Sequence, residues 1–228
     1  MPARLRPTAA PAPDAILVGD PGRSLLLAQE LLEQPKMSNH ARGLWGYTGR
    51  TAAGAALTIQ ATGMGGPSAA LVLADLATLG VERVVRVGTC AAFGPAVAPG
   101  ELLLSIAALA TGGSAASFGV ATGETVSPDP ELLEQLRAEL RDEARAVTVA
   151  SLDTMPAEAS AASGAAAADM QTLAILARSG ALGIAAAAVL IVTEPEGGDI
   201  LGPEAMERAA VQAGRAAAKA LSNPQVEG

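Results

Sequence analysis

The sequence Arg86-Val87-Gly88-Thr89-Cys90 decides how we interpret this chain. It closes an apolar run that begins at Val81, and the small residues Ala91-Ala92 follow it. The run predicts a buried strand. An arginine near the carboxyl end of such a strand costs free energy unless an anion meets it. We therefore expect an anion at Arg86.

Two further arginines stand in glycine-containing turns. Arg23 follows Gly19-Asp20-Pro21-Gly22, and Arg42 lies in His40-Ala41-Arg42-Gly43. An arginine in the first turn of a helix opposes the helix dipole, so an anion beside Arg23 would offset an unfavourable position. The sequence thus predicts that Arg23, Arg42 and Arg86 meet one anion, and phosphate is the anion that guanidinium groups suit best.

Composition favours one α/β domain that covers residues 1–228. The chain is 50% hydrophobic but only 2% aromatic, and its 17% of charged residues fits a large subunit interface or simply abundant alanine. A net charge of −8 argues against nucleic-acid binding, although a local arginine cluster still binds a small anion. No apolar run reaches the length of a membrane span. The single cysteine excludes an intrachain disulfide and fits the cytoplasm.

Strands and helices alternate, with glycine turns after the strands. Predicted strands cover residues 16–18, 57–62, 84–87, 101–105, 147–151 and 183–193. Predicted helices cover residues 24–33, 67–79, 130–144, 169–178 and 203–221. We expect an irregular arm at 1–14, loops or a hairpin at 36–56, an active-site loop at 106–128, and loop or helix at 156–168. This order predicts a layered α/β fold with its ligand crevice at the carboxyl ends of the strands.

Five motifs, in order, resemble the nucleoside phosphorylase I family, which includes hexameric purine nucleoside phosphorylases and uridine phosphorylases. They are Gly19-Asp20-Pro21-Gly22-Arg23, Arg42-Gly43-Leu44-Trp45-Gly46-Tyr47-Thr48-Gly49, Gly63-Met64-Gly65, Arg86-Val87-Gly88-Thr89-Cys90 and Asp169-Met170-Gln171. The resemblance implies a three-layer α/β/α fold around a central mixed, partly barrelled sheet. It also implies phosphorolysis of a nucleoside to free base and pentose 1-phosphate, with inorganic phosphate as co-substrate and without a metal or other cofactor.

The resemblance implies that Gly19, Arg23, Arg86 and Thr89 of one subunit bind phosphate. Arg42 would come from a neighbouring subunit, because members of the family act as dimers, usually three in a ring. The N-terminal histidine that hexameric purine enzymes lend to a neighbour is absent from this chain, and its only histidine is His40.

For the sugar, the resemblance points to Met64, Asp169, Met170 and Gln171. Family members usually carry a glutamate at position 171, which bonds the 2′- and 3′-hydroxyls. Gln171 brings no negative charge to an oxocarbenium-like transition state. The substitution implies weaker catalysis, a different sugar preference, or compensation by Asp169. Met64 and Met170 fit core packing equally well.

For the base, the resemblance points to Cys90, Ala91, Met155 and Glu194. Glu194 follows the last long strand, where purine members have an aspartate that protonates the base, so Glu194 and Arg86 are the candidate catalytic residues. A carboxyl group in an apolar pocket has a raised pKa that suits this task, and a surface acid is the alternative interpretation. Cys90 has no histidine or acid at motif spacing, which favours a pocket wall over a nucleophile. Purine is slightly favoured over uridine.

Three other functions fit parts of the sequence. A nucleosidase would share the fold but would not need the phosphate arginines. A non-catalytic binder of nucleoside or phosphate is compatible with Gln171 and the missing histidine. A dinucleotide-binding turn at Gly63-Met64-Gly65-Gly66-Pro67-Ser68 is disfavoured, because Ser68 replaces the third glycine and Glu82 precedes the next strand instead of ending it.

Overall fold

The computed structural model describes residues 4–93, 97–155 and 164–223. The strands in these ranges are β1 Asp14–Val18, β2 Glu33–Asn39, β3 Gly46–Arg50, β4 Ala56–Ala61, β5 Arg83–Ala92, β6 Leu102–Ala110, β7 Thr125–Val126, β8 Ala144–Ser151, β9 Ala167–Asp169 and β10 Ala185–Pro195. The α-helices are α1 Pro21–Leu31, α2 Gly65–Thr78, α3 Pro130–Leu140, α4 Thr172–Leu182 and α5 Pro203–Ser222.

Strand β5 organises the sheet. Its first residues, Arg83 to Arg86, lie between β1 and β10, and both neighbours run parallel to it. Its last residues, Ala91 and Ala92, pair with the antiparallel strand β9. Because β10 pairs with β6, β6 with β8, and β8 with β9, these strands and β5 close into a mixed ring. The partly barrelled sheet implied by the resemblance is confirmed.

The remaining strands extend the sheet on the open side of β5. Strand β4 pairs parallel to β1, and then β3 and β2 follow in antiparallel order. The hairpin considered for residues 36–56 is therefore the β2–β3 pair. This side of the sheet carries the glycine turns that follow β1 and β4.

Helices cover both faces of the sheet and give three layers. Helices α1, α3 and α5 pack on one face with a common apolar core, and α2 and α4 pack on the other. Because both faces are covered, β5 and β10 consist of nearly continuous apolar residues instead of alternating ones. Helix α5 buries a stripe of alanines, and at Gly214 an added Cβ would lie 2.7 Å from Leu27 Cδ2. Small side chains, and not aromatic ones, thus set the spacing of the layers.

A third apolar cluster fills the interior of the closed ring. It contains Cys90, Leu103, Val149, Leu190 and Val192, all of which are buried. These residues come from β5, β6, β8 and β10 and therefore hold the ring strands together.

The first half of the chain differs from the sequence prediction at several boundaries. Helix α1 begins at Pro21 because the Asp20 carboxylate caps it, accepting a hydrogen bond of 2.8 Å from the backbone N–H of Arg23. It ends at Leu31, and Pro35 lies within β2 instead of stopping the helix. Helix α2 begins at Gly65, so Pro67 is its third residue.

From β5 onward the differences are mainly in strand length. Strands β5 and β6 continue to Ala92 and Ala110, beyond the apolar runs that predicted them. Asp169 ends strand β9 and does not begin the following helix, which starts at Thr172. Residues 156–163 of the low-complexity stretch lie outside the described residues.

The N-terminal arm packs on the body of the protein from residue 4 onward. Leu5 is buried, and its backbone N–H donates a hydrogen bond of 2.8 Å to the Asp75 carboxylate on α2. Among the helices that the structure describes, none combines the length and hydropathy that crossing a bilayer demands.

Leu103→Ala tests the ring interior. Leu103 is 0% exposed in this cluster, so removing its side chain should lower the free energy of unfolding by about 2–5 kcal/mol. Leu71→Ala is the control, because Leu71 is 45% exposed and its truncation should change stability by less than about 0.5 kcal/mol. Denaturant unfolding of both variants measures the difference, and equal losses would contradict a packed interior.

Candidate active site

A cavity of about 520 Å³ opens where β1, β4, β5 and β10 end and helices α1 and α2 begin. Its walls contain every predicted site residue except Arg42. These are Gly19, Arg23, Met64, Arg86, Thr89, Cys90, Ala91, Met155, Asp169, Met170, Gln171 and Glu194. A larger concavity of about 700 Å³ lies between α1, α3 and α5, but exposed charges of both signs line it and do not converge on a point. The first cavity is therefore the candidate site.

The anion that meets Arg86 is the carboxylate of Asp169. Arg86 is 4% exposed, and its Nη2 and Nε donate to Asp169 Oδ2 at 2.8 and 3.2 Å. Its Nη1 donates to Gln171 Oε1 at 2.8 Å. A guanidinium has five N–H bonds, so one on Nη1 and one on Nη2 remain for a ligand. The expectation that Arg86 needs an external anion is corrected: its charge is already paired within the chain.

Both carboxylate oxygens of Asp169 accept hydrogen bonds from within the chain. Ser151 Oγ donates to its Oδ1 at 2.7 Å, and Thr172 donates to its Oδ2 through Oγ1 at 2.7 Å and through its backbone N–H at 2.9 Å. The side chain of Asp169 is 0% exposed. Asp169 therefore positions Arg86 and leaves no acceptor toward the cavity, contrary to the predicted sugar contact.

Ser151 and Thr172 were not predicted as parts of the site. A signal existed for Thr172, because an aspartate shortly before a helix commonly caps its first N–H groups. No pattern in the sequence pointed to Ser151. Its role arises because it pairs with Asp169 across β8 and β9.

Gly88 is a third site residue that was not predicted from the sequence. An ideal Cβ at Gly88 would lie 2.5 Å from Arg86 Cζ and Nη2, and 2.7 Å from Leu190 Cδ2. Residues 86 and 88 lie on the same face of β5, and the guanidinium folds over the glycine. The Arg-x-Gly spacing within the opening motif was the available signal.

Arg23 is the cation in the cavity that lacks a partner. In the described part of the chain its guanidinium makes no ion pair, and the Asp20 carboxylate is engaged with its backbone N–H. Burial and the neighbouring charge of Arg86 lower the pKa of Arg23 to about 10, against a smaller opposing effect of Asp20. Arg23 is still cationic at neutral pH. An anion in the cavity would bind beside it.

Three predicted sugar contacts lie on one wall. Gln171 is 3% exposed and bonded within the chain, Met170 is half-buried, and Met64 is 88% exposed at the cavity mouth. Core packing is therefore the wrong interpretation of Met64. It also does not describe Met170, which lines the cavity.

The predicted base contacts Cys90, Ala91, Met155 and Glu194 also line the cavity. Cys90 and Ala91 are 3% and 8% exposed, and burial raises the pKa of the Cys90 thiol well above its ordinary value. A thiol whose pKa is raised in this way is not a nucleophile, so Cys90 serves as part of the cavity wall. Glu194 is exposed, at a register shift between β10 and β5. It is not the acid in an apolar pocket that the sequence suggested.

Two predicted features lie away from this cavity. Arg42 is exposed and borders a separate concavity together with Arg4, Arg6 and His40. The active-site loop predicted for residues 106–128 contributes no lining residue within the described chain. Strand β6 occupies its first part instead, and a short 3₁₀ turn, Gly113–Phe118, lies against Gly66 of α2.

Comparisons with known proteins agree with this architecture. The sequence profile of the phosphorylase superfamily matches residues 13–223. A DeoD-type purine nucleoside phosphorylase of Oceanobacillus iheyensis is 44% identical over 78 residues, which are 34% of this chain and 33% of that protein. The Clostridium beijerinckii protein of the same name is 36% identical over 103 residues, which are 45% and 43% of the two chains. The match thus spans about a third to two fifths of these relatives.

A solved structure shares the fold at lower sequence identity. Purine nucleoside phosphorylase of Toxoplasma gondii, crystallised in complex with immucillin-H, superposes with a TM-score of 0.82. The superposition covers 92% of this chain and 91% of that one, at 22% sequence identity. The shared feature is therefore the three-layer fold with its closed ring.

Gly88→Ala tests the packing of Arg86. The added methyl group would displace the guanidinium, so an oxyanion that binds its two free N–H groups should lose affinity at least about tenfold, the value of one charge-assisted hydrogen bond. Gly180→Ala in α4 is the matched control, because a Cβ there has no neighbour within 4 Å. Calorimetric titration with phosphate measures the effect. Unchanged affinity in a folded Gly88→Ala protein would contradict this role.

Proposed function

The chain belongs to the phosphorylase superfamily, and from this premise we propose that it cleaves the N-glycosidic bond of a nucleoside with inorganic phosphate. The products would be a free base and a pentose 1-phosphate. The observation that carries the proposal is the guanidinium of Arg23 in the cavity, which pairs with no described carboxylate and accompanies the spare N–H groups of Arg86.

Backbone groups support the same anion subsite. Helices α1 and α2 both begin at the cavity, and Gly19, Pro21, Gly63 and Gly65 belong to its lining. The N-terminus of a helix offers free N–H groups and the positive end of its dipole. Phosphate would thus meet Arg23, Arg86 and these amides, with Gly19 and Thr89 close by.

The chemistry requires one displacement at the anomeric carbon. A phosphate oxygen forms a bond to C1′, the C1′–N bond breaks, and its electron pair passes to the base nitrogen, which takes up a proton. Positive charge develops on the sugar in the transition state, so an anionic nucleophile held close to it is stabilising. Glu194 is the candidate to hydrogen-bond the leaving base. Its exposed position also lets water supply the proton.

We propose a purine as the base. Cys90, Ala91 and Met155 line the cavity, and the small side chains of Cys90 and Ala91 suit a flat ring. The curated relatives that match over part of their length are purine nucleoside phosphorylases by name.

We propose further that a second copy of the chain completes the site. Among the described residues that line the cavity, two guanidinium groups face the carboxylates of Asp20, Asp169 and Glu194, which gives a net charge of −1. Such a site needs another cation to bind phosphate well. Arg42 is a suitable donor, because it is exposed on a cationic patch outside its own cavity. A dimer, or a ring of dimers, would bring it to the neighbouring cavity.

The turn that carries Arg42 is held in a fixed shape. Arg42 has a φ of 60°, which is rare for a residue other than glycine, and Gly43 follows with a φ of 71°. The Asn39 side chain donates to the Leu44 carbonyl and accepts a hydrogen bond of 2.8 Å from the Arg6 N–H. Asn39 thereby holds the N-terminal arm and the Arg42 turn on one surface.

Base release from inosine, adenosine and uridine, with and without phosphate, tests the reaction. We expect release that depends on phosphate and is fastest with a purine nucleoside. Arg23→Ala should raise the KM for phosphate at least about tenfold, because a charge-assisted contact is lost, whereas Arg208→Ala on the exposed face of α5 should not. Equal release without phosphate would indicate a hydrolase, and phosphate binding without release a non-catalytic protein.

Mixed oligomers of Arg42→Ala and Arg23→Ala subunits test donation across the interface. If Arg42 acts in the neighbouring cavity, each mixed dimer has one intact site of two. Because about half of randomly formed dimers are mixed, co-refolding equal amounts of the two weakly active variants should restore about a quarter of the wild-type activity. Mixing Arg23→Ala with Arg86→Ala is the control, since both residues belong to the same cavity and no intact site can form. Failure of the first mixture to exceed the second would contradict the donated arginine.

A further inference from the structure

The segment predicted as an active-site loop, residues 106–128, has a structural link to the cavity wall. Its residues 111–119, which we call the support turn, include a short 3₁₀ helix. Ala115 is 1% exposed and belongs to the apolar core between the sheet and helices α2 and α4. Phe118 lies against α2, since a Cβ added to Gly66 would be 3.3 Å from its ring. The support turn is therefore packed firmly on the body of the protein.

The carboxylate of Asp153 fastens the segment that leads to Met155 to this turn. Asp153 Oδ2 accepts a hydrogen bond of 3.0 Å from the backbone N–H of Ser114, and Oδ1 accepts one from the Ser114 hydroxyl. The backbone N–H of Gly113 is a further donor. These donors, the Ser114 hydroxyl most of all, lower the pKa of Asp153 against the opposing effect of burial. The carboxylate is thus ionised at neutral pH and holds its donors as an anion.

Asp153 approaches the support turn so closely that glycine is needed beside it. An ideal Cβ at Gly112 would lie 2.7 Å from Asp153 Cγ and Oδ1. One residue earlier, the Thr111 hydroxyl donates to the carbonyl of Ser151 at 2.8 Å. The support turn thus binds both the end of β8 and the residues that follow it.

Met155 depends on this attachment for its place in the cavity wall. Leu152 is still bonded to the sheet, because its N–H donates to the Asp169 carbonyl at 2.8 Å. From Asp153 to Met155, every hydrogen bond that the described chain makes to another segment involves the Asp153 carboxylate. Methionine is unbranched and flexible, so the backbone that carries Met155 decides where its thioether lies.

We propose, on the basis of the proposed function, that Asp153 is a positioning residue that sets the base side of the cavity through Met155. Asp153 is absent from the described lining of the cavity, whereas Met155 belongs to it. The Met155 thioether packs on the base, a contact that sulfur makes favourably with an aromatic ring. Asp153 therefore affects the affinity for the nucleoside and leaves the phosphate subsite of Arg23 and Arg86 unchanged.

Steady-state kinetics of Asp153→Ala and Ser114→Ala test the attachment from both ends. Each should raise the KM for inosine by about threefold to tenfold, the range of a single hydrogen bond, and leave the KM for phosphate within about twofold. Thr78→Ala is the control, because the Thr78 hydroxyl bonds to Ala74 of the same helix, at the end of α2 that lies away from the cavity. It should change neither KM. Equal rises in both KM values for Asp153→Ala would contradict the role, since they would indicate a general loss of structure.

A double-mutant cycle separates positioning from stability. Met155→Ala should itself raise the KM for inosine, and adding Asp153→Ala should change that KM by less than about twofold, since no thioether remains to be positioned. Effects of the two substitutions that multiply would overturn the proposal. An unchanged KM for inosine in Met155→Ala would also overturn it, while phosphate-dependent release of the base would still support the proposed function.

Methyl NMR of the methionine side chains observes the same attachment without catalysis. Asp153→Ala should shift and sharpen the Met155 methyl signal, because the side chain gains freedom of motion. The signal of Met206, which packs against the core of α1, α3 and α5, should stay in place. An unchanged Met155 signal would contradict the role of Asp153.

Binding measurements keep this inference separate from the reaction. If no nucleoside releases its base, the proposed function fails, and calorimetric titration with inosine replaces the kinetics. A Kd that rises about threefold to tenfold in Asp153→Ala, and no further when Met155→Ala is already present, supports the assignment. The same Kd in the wild type and in Asp153→Ala overturns it.

Discussion

The ion pair between Arg86 and Asp169 joins strand β5 to strand β9 at the place where the ring of strands closes. Its shortest contact is 2.8 Å, and the two side chains are 5% and 0% exposed. Pairing of Ala91 with Ala168 closes the ring one residue before Asp169, and Ser151 bonds to the same carboxylate from β8. Removing one partner of a buried pair typically costs about 3–5 kcal/mol, because the other charge remains without compensation. Fold closure and the site therefore depend on the same contact.

This pairing changes what the cavity demands of a ligand. The charge of Arg86 is neutralised before a ligand binds in the cavity. Its guanidinium is held by Asp169 and Gln171 and keeps two free N–H bonds. The unmet charge belongs to Arg23, which lies at the start of α1 and is repelled by Arg86. One chain thus provides an oriented set of hydrogen-bond donors, but the described residues that line the cavity carry no net positive charge. The lack of net positive charge explains why the proposed site includes a cation from a second copy of the chain.

Small residues make the arrangement sterically possible. Gly88 leaves the space that the Arg86 side chain occupies, and Gly63 and Gly65 let the turn before α2 approach Gln171. On the far side of the sheet, the alanine stripe of α5 brings that helix close to α1. The scarcity of aromatic residues, 2% of the chain, follows from the same close approach of layers.

The amino-acid sequence predicts the alternation of strands and helices, the glycine turns that open α1 and α2, and the site residues that meet in the cavity, with Arg42 as the exception. These features are local, since they depend on apolar runs, caps and turn residues that lie close together in the chain. Which charged side chains pair with one another depends on the three-dimensional packing. Asp169 is 83 residues from Arg86, and Gln171 is 108 from Gly63. No local pattern encodes such contacts, because only the paired sheet, with its closed ring and with β4 beside β1, brings them within hydrogen-bonding distance. For the same reason the exposed setting of Glu194 and the separate surface of Arg42 could not be read from their neighbours in sequence.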